Sequence, residues 1–193
     1  CVSRIQAVMT QTWDILATMT PADYSNFRQF LGTSSGFQSA QFRALEYRLG
    51  LKDANFLKFQ PEGSDERAML ETALREPSLY DDVIAELAKA GFAIPEGVYK
   101  RAPGAPYEPS ADVEAAWLAV YRDTQEYWPL YQLAEKLLDL DDALISWRHK
   151  HVLTVERIIG RKRGTGGTEG VGYLQQTLSR RAFPEIWSLR TSL

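Results

Sequence analysis

Three groups of residues have types and spacings that could do chemistry. The first is His151. In a helix, Trp147, His151, Thr154, Val155, Ile158 and Ile159 fall on one side, so the imidazole points with the apolar residues. His149, the only other histidine, sits about 200° round a 3.6-residue turn and is expected to face solvent. A histidine on an apolar stripe is either a buried side chain satisfied by a hydrogen bond or an axial ligand to a haem iron. The second group is Tyr24 and Arg28, four residues apart on one helix face. Such an arginine serves a surface ion pair or, turned inward, grips a carboxylate with two parallel N–H donors. The third is Gly164-Thr165-Gly166-Gly167, which can turn tightly and expose backbone N–H groups. It lacks the Gly-Lys-Ser/Thr of a phosphate loop, and it follows a helix rather than the strand of a dinucleotide fingerprint. An ordinary glycine turn accounts for it equally well. The neighbouring Arg161-Lys162-Arg163 suits the negative end of a helix, in a solvated turn or against an anion.

The elements that position these groups read as helices throughout. Apolar residues at Ile5, Val8, Met9, Trp13, Ile15 and Leu16 mark one helix over residues 2–18. Trp13 packs in a core or on a flat cofactor. Thr20-Pro21 starts a second helix, with Thr20 as N-cap and Pro21 in its first turn, running to about Leu31. A third spans about Phe37 to Leu49 and ends at Gly50. Its inner stripe is Phe37, Ala40, Gln41, Ala44, Leu45 and Leu49. Residues 52–109 read as a peripheral helical insertion, with short helices over Asp65–Arg75 and Leu79–Ala90 and prolines marking loops. Ser110 caps a helix to about Gln125. Further helices are expected over Tyr127–Leu138, Asp141–Ile159, Gly170–Ser179 and Pro184–Leu189. Asp139, Asp141 and Asp142 precede the His151 helix, so they read as N-terminal acids rather than a metal cluster. No β-alternation and no repeat interrupts this pattern. The fold class is all-α, a bundle of long helices with short peripheral ones.

Composition narrows the function. The 193 residues fit one domain, and 45% hydrophobic with 24% charged residues is the profile of a globular chain with a core. The net charge of −3 gives no nucleic-acid footprint, and no apolar run approaches the length of a membrane span. Cys1 is the sole cysteine, which excludes an internal disulfide or a CxxC site and suits a reducing compartment. The chain opens like the middle of a helix, with no charged and apolar regions of a signal peptide. A further N-terminal piece is therefore expected upstream of Cys1.

The wording of three blocks goes further. Trp147-Arg148-x-x-His151, Val155-Glu156-Arg157-Ile158-Ile159-Gly160 and Gly164-Thr165-Gly166-Gly167-Thr168 together form one. Tyr24-x-x-Phe27-Arg28-x-x-Leu31-Gly32 with Ser35-Gly36-Phe37-Gln38-Ser39-x-Gln41-Phe42-Arg43 is the second. Phe183-Pro184-Glu185-x-Trp187-x-x-Arg190-Thr191 is the third. In this order they resemble the tryptophan 2,3-dioxygenase family across essentially the whole chain. The one departure after the glycines is Thr168-Glu169, where the family more often has Ser-Ser.

That resemblance implies a cytoplasmic, haem b-dependent homotetramer of helical subunits, with the haem held between helices. It would insert O2 across the indole C2–C3 bond of L-tryptophan to give N-formyl-L-kynurenine, the first step of the kynurenine route. It implies His151 as proximal iron ligand, Arg28 on the substrate carboxylate, and Thr165 at the ammonium and carboxylate end. Tyr24 would lie beside Arg28, Ser35 and Gly36 would line the distal side, and Trp13 and Leu31 would pack near the porphyrin. The family's distal histidine belongs to its N-terminal segment, and His149 does not match it by motif. No catalytic residue is therefore assigned within residues 1–193, and association with an N-terminal fragment or chain is expected. Two other readings remain: a related haem-dependent aromatic oxygenase with another ring substrate, and a non-catalytic helical module with Arg161–Arg163 facing an anionic partner. In either dioxygenase reading the cofactor performs the hard step while the protein binds, orients and excludes water.

Overall fold

The computed structural model describes residues 2–28, 39–102, 104–159 and 175–193. Among them there are helices, turns and no strand, so the fold is all-α as the sequence predicts. The chain divides into two compact units. One joins residues 1–39 to 139–181; the other joins 40–138 to 182–193.

In the first unit, α1 (Val2–Thr18) and α2 (Pro21–Arg28) occupy the predicted places, and the expected end of α2 at about Leu31 lies outside the described residues. The start of α2 is closed in both directions. The Asp23 N–H donates to Thr20 Oγ1 at 3.2 Å, and the Thr20 N–H and hydroxyl donate to the Asp23 carboxylate at 2.9 and 2.6 Å. This is the reciprocal N-terminal box of a helix with an acid at its third position, and its bonds hold the Asp23 carboxyl below its ordinary value. Val8 and Ile15, which the spacing places on the inner stripe of α1, are exposed.

The largest departure concerns α8 (Trp128–Ile159). Helices expected at Tyr127–Leu138 and Asp141–Ile159 are one helix, Trp128–Ile159, of 32 residues. No glycine lies within it, and its only proline, Pro129, sits in the first turn, where the missing N–H has no helical partner. Asp139, Asp141 and Asp142 are therefore interior helix residues and not caps, and Asp141 is fully buried.

In the second unit, α3 (Ser39–Leu49) ends at Gly50, as expected. Gly50 has φ +114°, and a side chain there would meet the Tyr80 Cβ at 2.9 Å and the Tyr107 ring at 3.1 Å. The buried line of α3 differs from the predicted stripe. Ala40, Arg43, Ala44, Glu46 and Tyr47 are buried while Gln41 is exposed, since Arg43 and Glu46 enter as an ion pair and Arg43 lies 4.9 Å from the Phe56 ring centre. Phe37 lies outside the described residues. A 3-10 helix (Ala54–Phe59), α4 (Asp65–Arg75) and α5 (Leu79–Lys89) follow. Leu70, Ala73 and Leu74 of α4 join Ala40, Ala44, Tyr47 and Phe56 in one core cluster. The buried Lys52 ammonium donates to the carbonyls of Leu74 (2.9 Å) and Glu76 (2.6 Å), a cation on the negative end of α4.

The short α6 (Glu96–Tyr99) leads to α7 (Ala111–Arg122), which packs against the terminal α9 (Pro184–Ser188). Ser110 occupies the cap position of α7, but its side chain makes no capping bond; its N–H donates instead to Glu185. Among the described residues no helix is long and apolar enough to cross a membrane.

Candidate functional site

The His151 segment of α8 carries its buried residues along Leu140, Leu144, Trp147, Arg148 and Val152, with His149 and Leu153 exposed. His151 and Thr154 are half-buried at the edge of this line, so the buried face is turned toward Arg148 and Val152 relative to the predicted stripe. The helix spacing that puts residue 151 one turn above residue 147 also stacks the two rings. Their centres are 5.0 Å apart and their planes 14° apart. An indole against one imidazole face limits how that ring can turn.

Burial pulls His151 down to about 4 from its ordinary 6.5. The imidazole is thus neutral around pH 7, with a nitrogen lone pair, which is the state an iron ligand requires. Among the described residues no three His, Cys, Asp or Glu side chains gather into a metal site. A haem needs no such gathering, because its porphyrin supplies four nitrogens and the protein one axial imidazole. A neutral histidine, fixed by an aromatic ring on a largely apolar helix face, fits that need.

Arg148, three residues before His151, has no counterpart in the sequence expectations. It is 3% exposed, and its Nη1 donates to the Arg180 carbonyl at 2.6 Å. The sequence shows it only as a member of the Trp147-Arg148-x-x-His151 motif, because its acceptor is a backbone oxygen 32 positions away.

The other expected site residues are placed by their elements. Trp13 lies in α1, and Tyr24 and Arg28 lie one turn apart in α2. All three belong to the same compact unit as His151. Chain segments more than a hundred residues apart are thus gathered in one body. Leu31, Ser35, Gly36, Thr165 and the Arg161–Arg163 patch lie outside the described residues.

The second unit contains a different polar centre. The Tyr80 hydroxyl donates to Glu185 Oε1 at 2.6 Å, and the Ser110 N–H donates to the same oxygen at 3.1 Å. Tyr80 stacks on Tyr107 at 3.9 Å, and Arg101 lies near both rings while pairing with Asp81 at 2.6 Å. Burial pushes the Glu185 carboxyl up, although the Tyr80 hydroxyl, its own backbone N–H and the Ser110 N–H favour the charged form. Burial and the adjoining carboxylate also push Tyr80 up, so it keeps its proton and acts as the donor. This centre holds residues 78–110 to the C-terminal helix.

Comparison with known proteins agrees with the motif order. The family model for tryptophan 2,3-dioxygenase matches residues 1–120 and 118–193. A tryptophan 2,3-dioxygenase of Caulobacter vibrioides is 68% identical over 192 residues, covering 100% of this chain and 73% of that protein. One from Bacillus thuringiensis subsp. konkukian is 54% identical, covering 100% of this chain and 69% of its own length. One from Cupriavidus necator is 52% identical, covering 65% of its length. With both parts of the family model matched along its length and identities this high, the chain belongs to the tryptophan 2,3-dioxygenase family, a family of oxidoreductases.

Proposed function

We propose that this chain holds haem b through His151 and takes part in the oxidation of L-tryptophan by O2 to N-formyl-L-kynurenine. The observation that carries the reading is the neutral, ring-stacked His151 in the compact unit that also contains α1 and α2. Family membership supplies the substrate and reaction class. When bound, the haem would supply the electron chemistry that lets O2 react with the indole.

The chain's own residues bind and orient. Trp147 holds the His151 ring plane. Arg28 clamps the substrate carboxylate with paired N–H donors, and Thr165 meets the ammonium and carboxylate end. Tyr24 lies beside Arg28, Ser35 and Gly36 line the substrate's side of the haem, and Trp13 and Leu31 pack near its edge. A zwitterion gripped at one end leaves the indole only its apolar slot, so orientation carries much of the rate. The same reading makes the working protein a cytoplasmic homotetramer.

Haem titration tests it. The chain should take up haem b stoichiometrically with a Soret band, and His151→Ala should lose that band while keeping the helical circular dichroism. L-Tryptophan added to the reduced, haem-loaded protein under O2 should yield N-formyl-L-kynurenine by mass spectrometry. Equal haem uptake by wild type and His151→Ala would refute the ligand assignment. Turnover of another aromatic substrate but not of tryptophan would redirect the reading to a different aromatic oxygenase.

A further inference from the structure

Beside His151, on the side of α8 that carries Trp147, lies a hydroxyl. Thr154 is about 4.5 Å along the helix from His151 and about 60° round it. It is half-buried. Thr18 and Thr72 return their hydroxyls to a carbonyl of their own helix, to Ile15 at 2.9 Å and to Ala68 at 2.9 Å. The Thr154 hydroxyl makes no such bond, and none to any other of the described residues.

The flank beyond Thr154 is cationic and open. Lys150 and Arg157 lie about 40° and 60° further round the helix, one turn before it and one turn after. Lys150 is half-buried and Arg157 exposed, and Arg157 forms no ion pair among the described residues. On the opposite flank of His151, Arg148 and Val152 are buried. One edge of the His151 face thus offers a hydroxyl donor and positive charge beside solvent, while the other edge is closed.

A haem macrocycle is broader than one helix turn, so a haem on His151 covers Thr154. The rim of haem b carries methyl groups, vinyl groups and two propionates, and only the propionate carboxylates accept hydrogen bonds. A covered hydroxyl facing a methyl or vinyl group would be stranded without water or partner. A carboxylate placed beside Arg157 instead takes the hydroxyl, gains a cation and keeps its charge hydrated. We infer that Thr154 and Arg157 together bind a haem propionate, so that the carboxylate edge of the macrocycle lies on the Thr154 side of His151. This rests on the proposed function for the bond between His151 and haem. The macrocycle is thereby held one way round, its charged edge toward the exposed flank of α8.

The test measures the rate of haem loss to an excess of a haem-scavenging apoprotein. Wild type, Thr154→Val, Thr154→Ser and Arg157→Gln are each loaded with haem b and, separately, with its dimethyl ester, in which both carboxylates are methylated. Valine matches threonine in shape and removes only the hydroxyl. Every variant should keep the wild-type Soret band, since His151 is untouched. Thr154→Val should lose haem b about tenfold faster than wild type, and Thr154→Ser at the wild-type rate. Arg157→Gln should lose it about threefold faster at low salt, a difference that fades as salt is raised. The ester is an uncharged and weaker acceptor, so with it the valine and glutamine variants should differ from wild type by about twofold or less. Wild-type loss of haem b from Thr154→Val would overturn the inference and leave the proposed function standing. Equal acceleration of haem b and ester loss would overturn it too, by marking a packing effect. If Thr154→Val does not fold, Arg157→Gln decides: faster loss of haem b with unchanged loss of the ester supports the contact, and an unchanged haem b rate overturns it. Equal haem uptake by wild type and His151→Ala would overturn both readings.

Discussion

His151 and Glu185 are both shielded ionisable groups, one in each compact unit, and burial acts on them with opposite arithmetic and the same result. It lowers the imidazole and raises the carboxyl, because each loses hydration of its charged form. Their surroundings then diverge. Beside His151 lies the flat face of an indole, which limits how the ring can turn. Around Glu185 a tyrosine hydroxyl and a backbone N–H converge on one oxygen, which consumes the acceptor and ties three chain segments together. Burial alone therefore does not distinguish a ligand site from a structural knot. What distinguishes them is the kind of neighbour: a stacked ring beside His151, converging hydrogen-bond donors on Glu185.

The sharpest way to break this contrast is Trp147→Ala. Removing a buried tryptophan should cost about 3 kcal/mol of stability, seen as a lower thermal or denaturant midpoint. It should also speed haem loss, because the imidazole is freed to rotate. Trp147→Phe, which keeps an aromatic face, should retain most of the haem affinity. Loss of stability without faster haem release would mean that the stack does not hold the ligand.

Next in size is Glu185→Ala, which strands the Tyr80 hydroxyl and the Ser110 N–H and should cost about 2 kcal/mol. Wherever the variant remains folded, its Soret band should match wild type. Altered haem ligation there would erase the distinction between the two centres.

Glu185→Gln sharpens the point through pH. The amide oxygen can accept both bonds, so this variant should be near wild type in stability at neutral pH or above it. The folded protein binds the Glu185 proton more tightly than the unfolded chain, whose carboxyl titrates near 4.5. Ionisation therefore weighs against the fold above the raised folded value, and the penalty is relieved as pH falls toward 4.5. Urea midpoints from neutral to mildly acidic pH should show wild type gaining on the variant. A constant difference would indicate that Glu185 is not raised.

The smallest effect is expected at His149, which is exposed two residues from the proposed ligand. His149→Ala should change stability by less than about 0.5 kcal/mol and leave haem uptake unchanged. A lost Soret band there would transfer the ligand role to the wrong face of α8.

Much of this was legible in the residues. Thr20-Pro21 marked the start of α2 because hydroxyl and acid three apart satisfy the first N–H groups locally. Gly50 marked the end of α3 because its backbone takes a conformation that side chains resist. The division between His149 outside and His151 inward followed from the 3.6-residue turn alone. What could not be read was burial of charge. Asp139, Asp141 and Asp142 looked like a helix start, yet α8 runs through them with Asp141 buried, a choice made by packing against propensity. Residues 52–109 showed only amphipathic spacing and no hint that Tyr80 would meet Glu185, 105 positions away.

The amino-acid sequence by itself determined the helices, the inward histidine and the family, because these rest on local periodicity and on ordered motifs. The tertiary structure alone decided which polar groups became buried partners: Arg148 with Arg180, Tyr80 with Glu185, Lys52 with the end of α4. Each of those bonds spans a long stretch of chain, and its worth depends on exclusion of water, which no local pattern encodes.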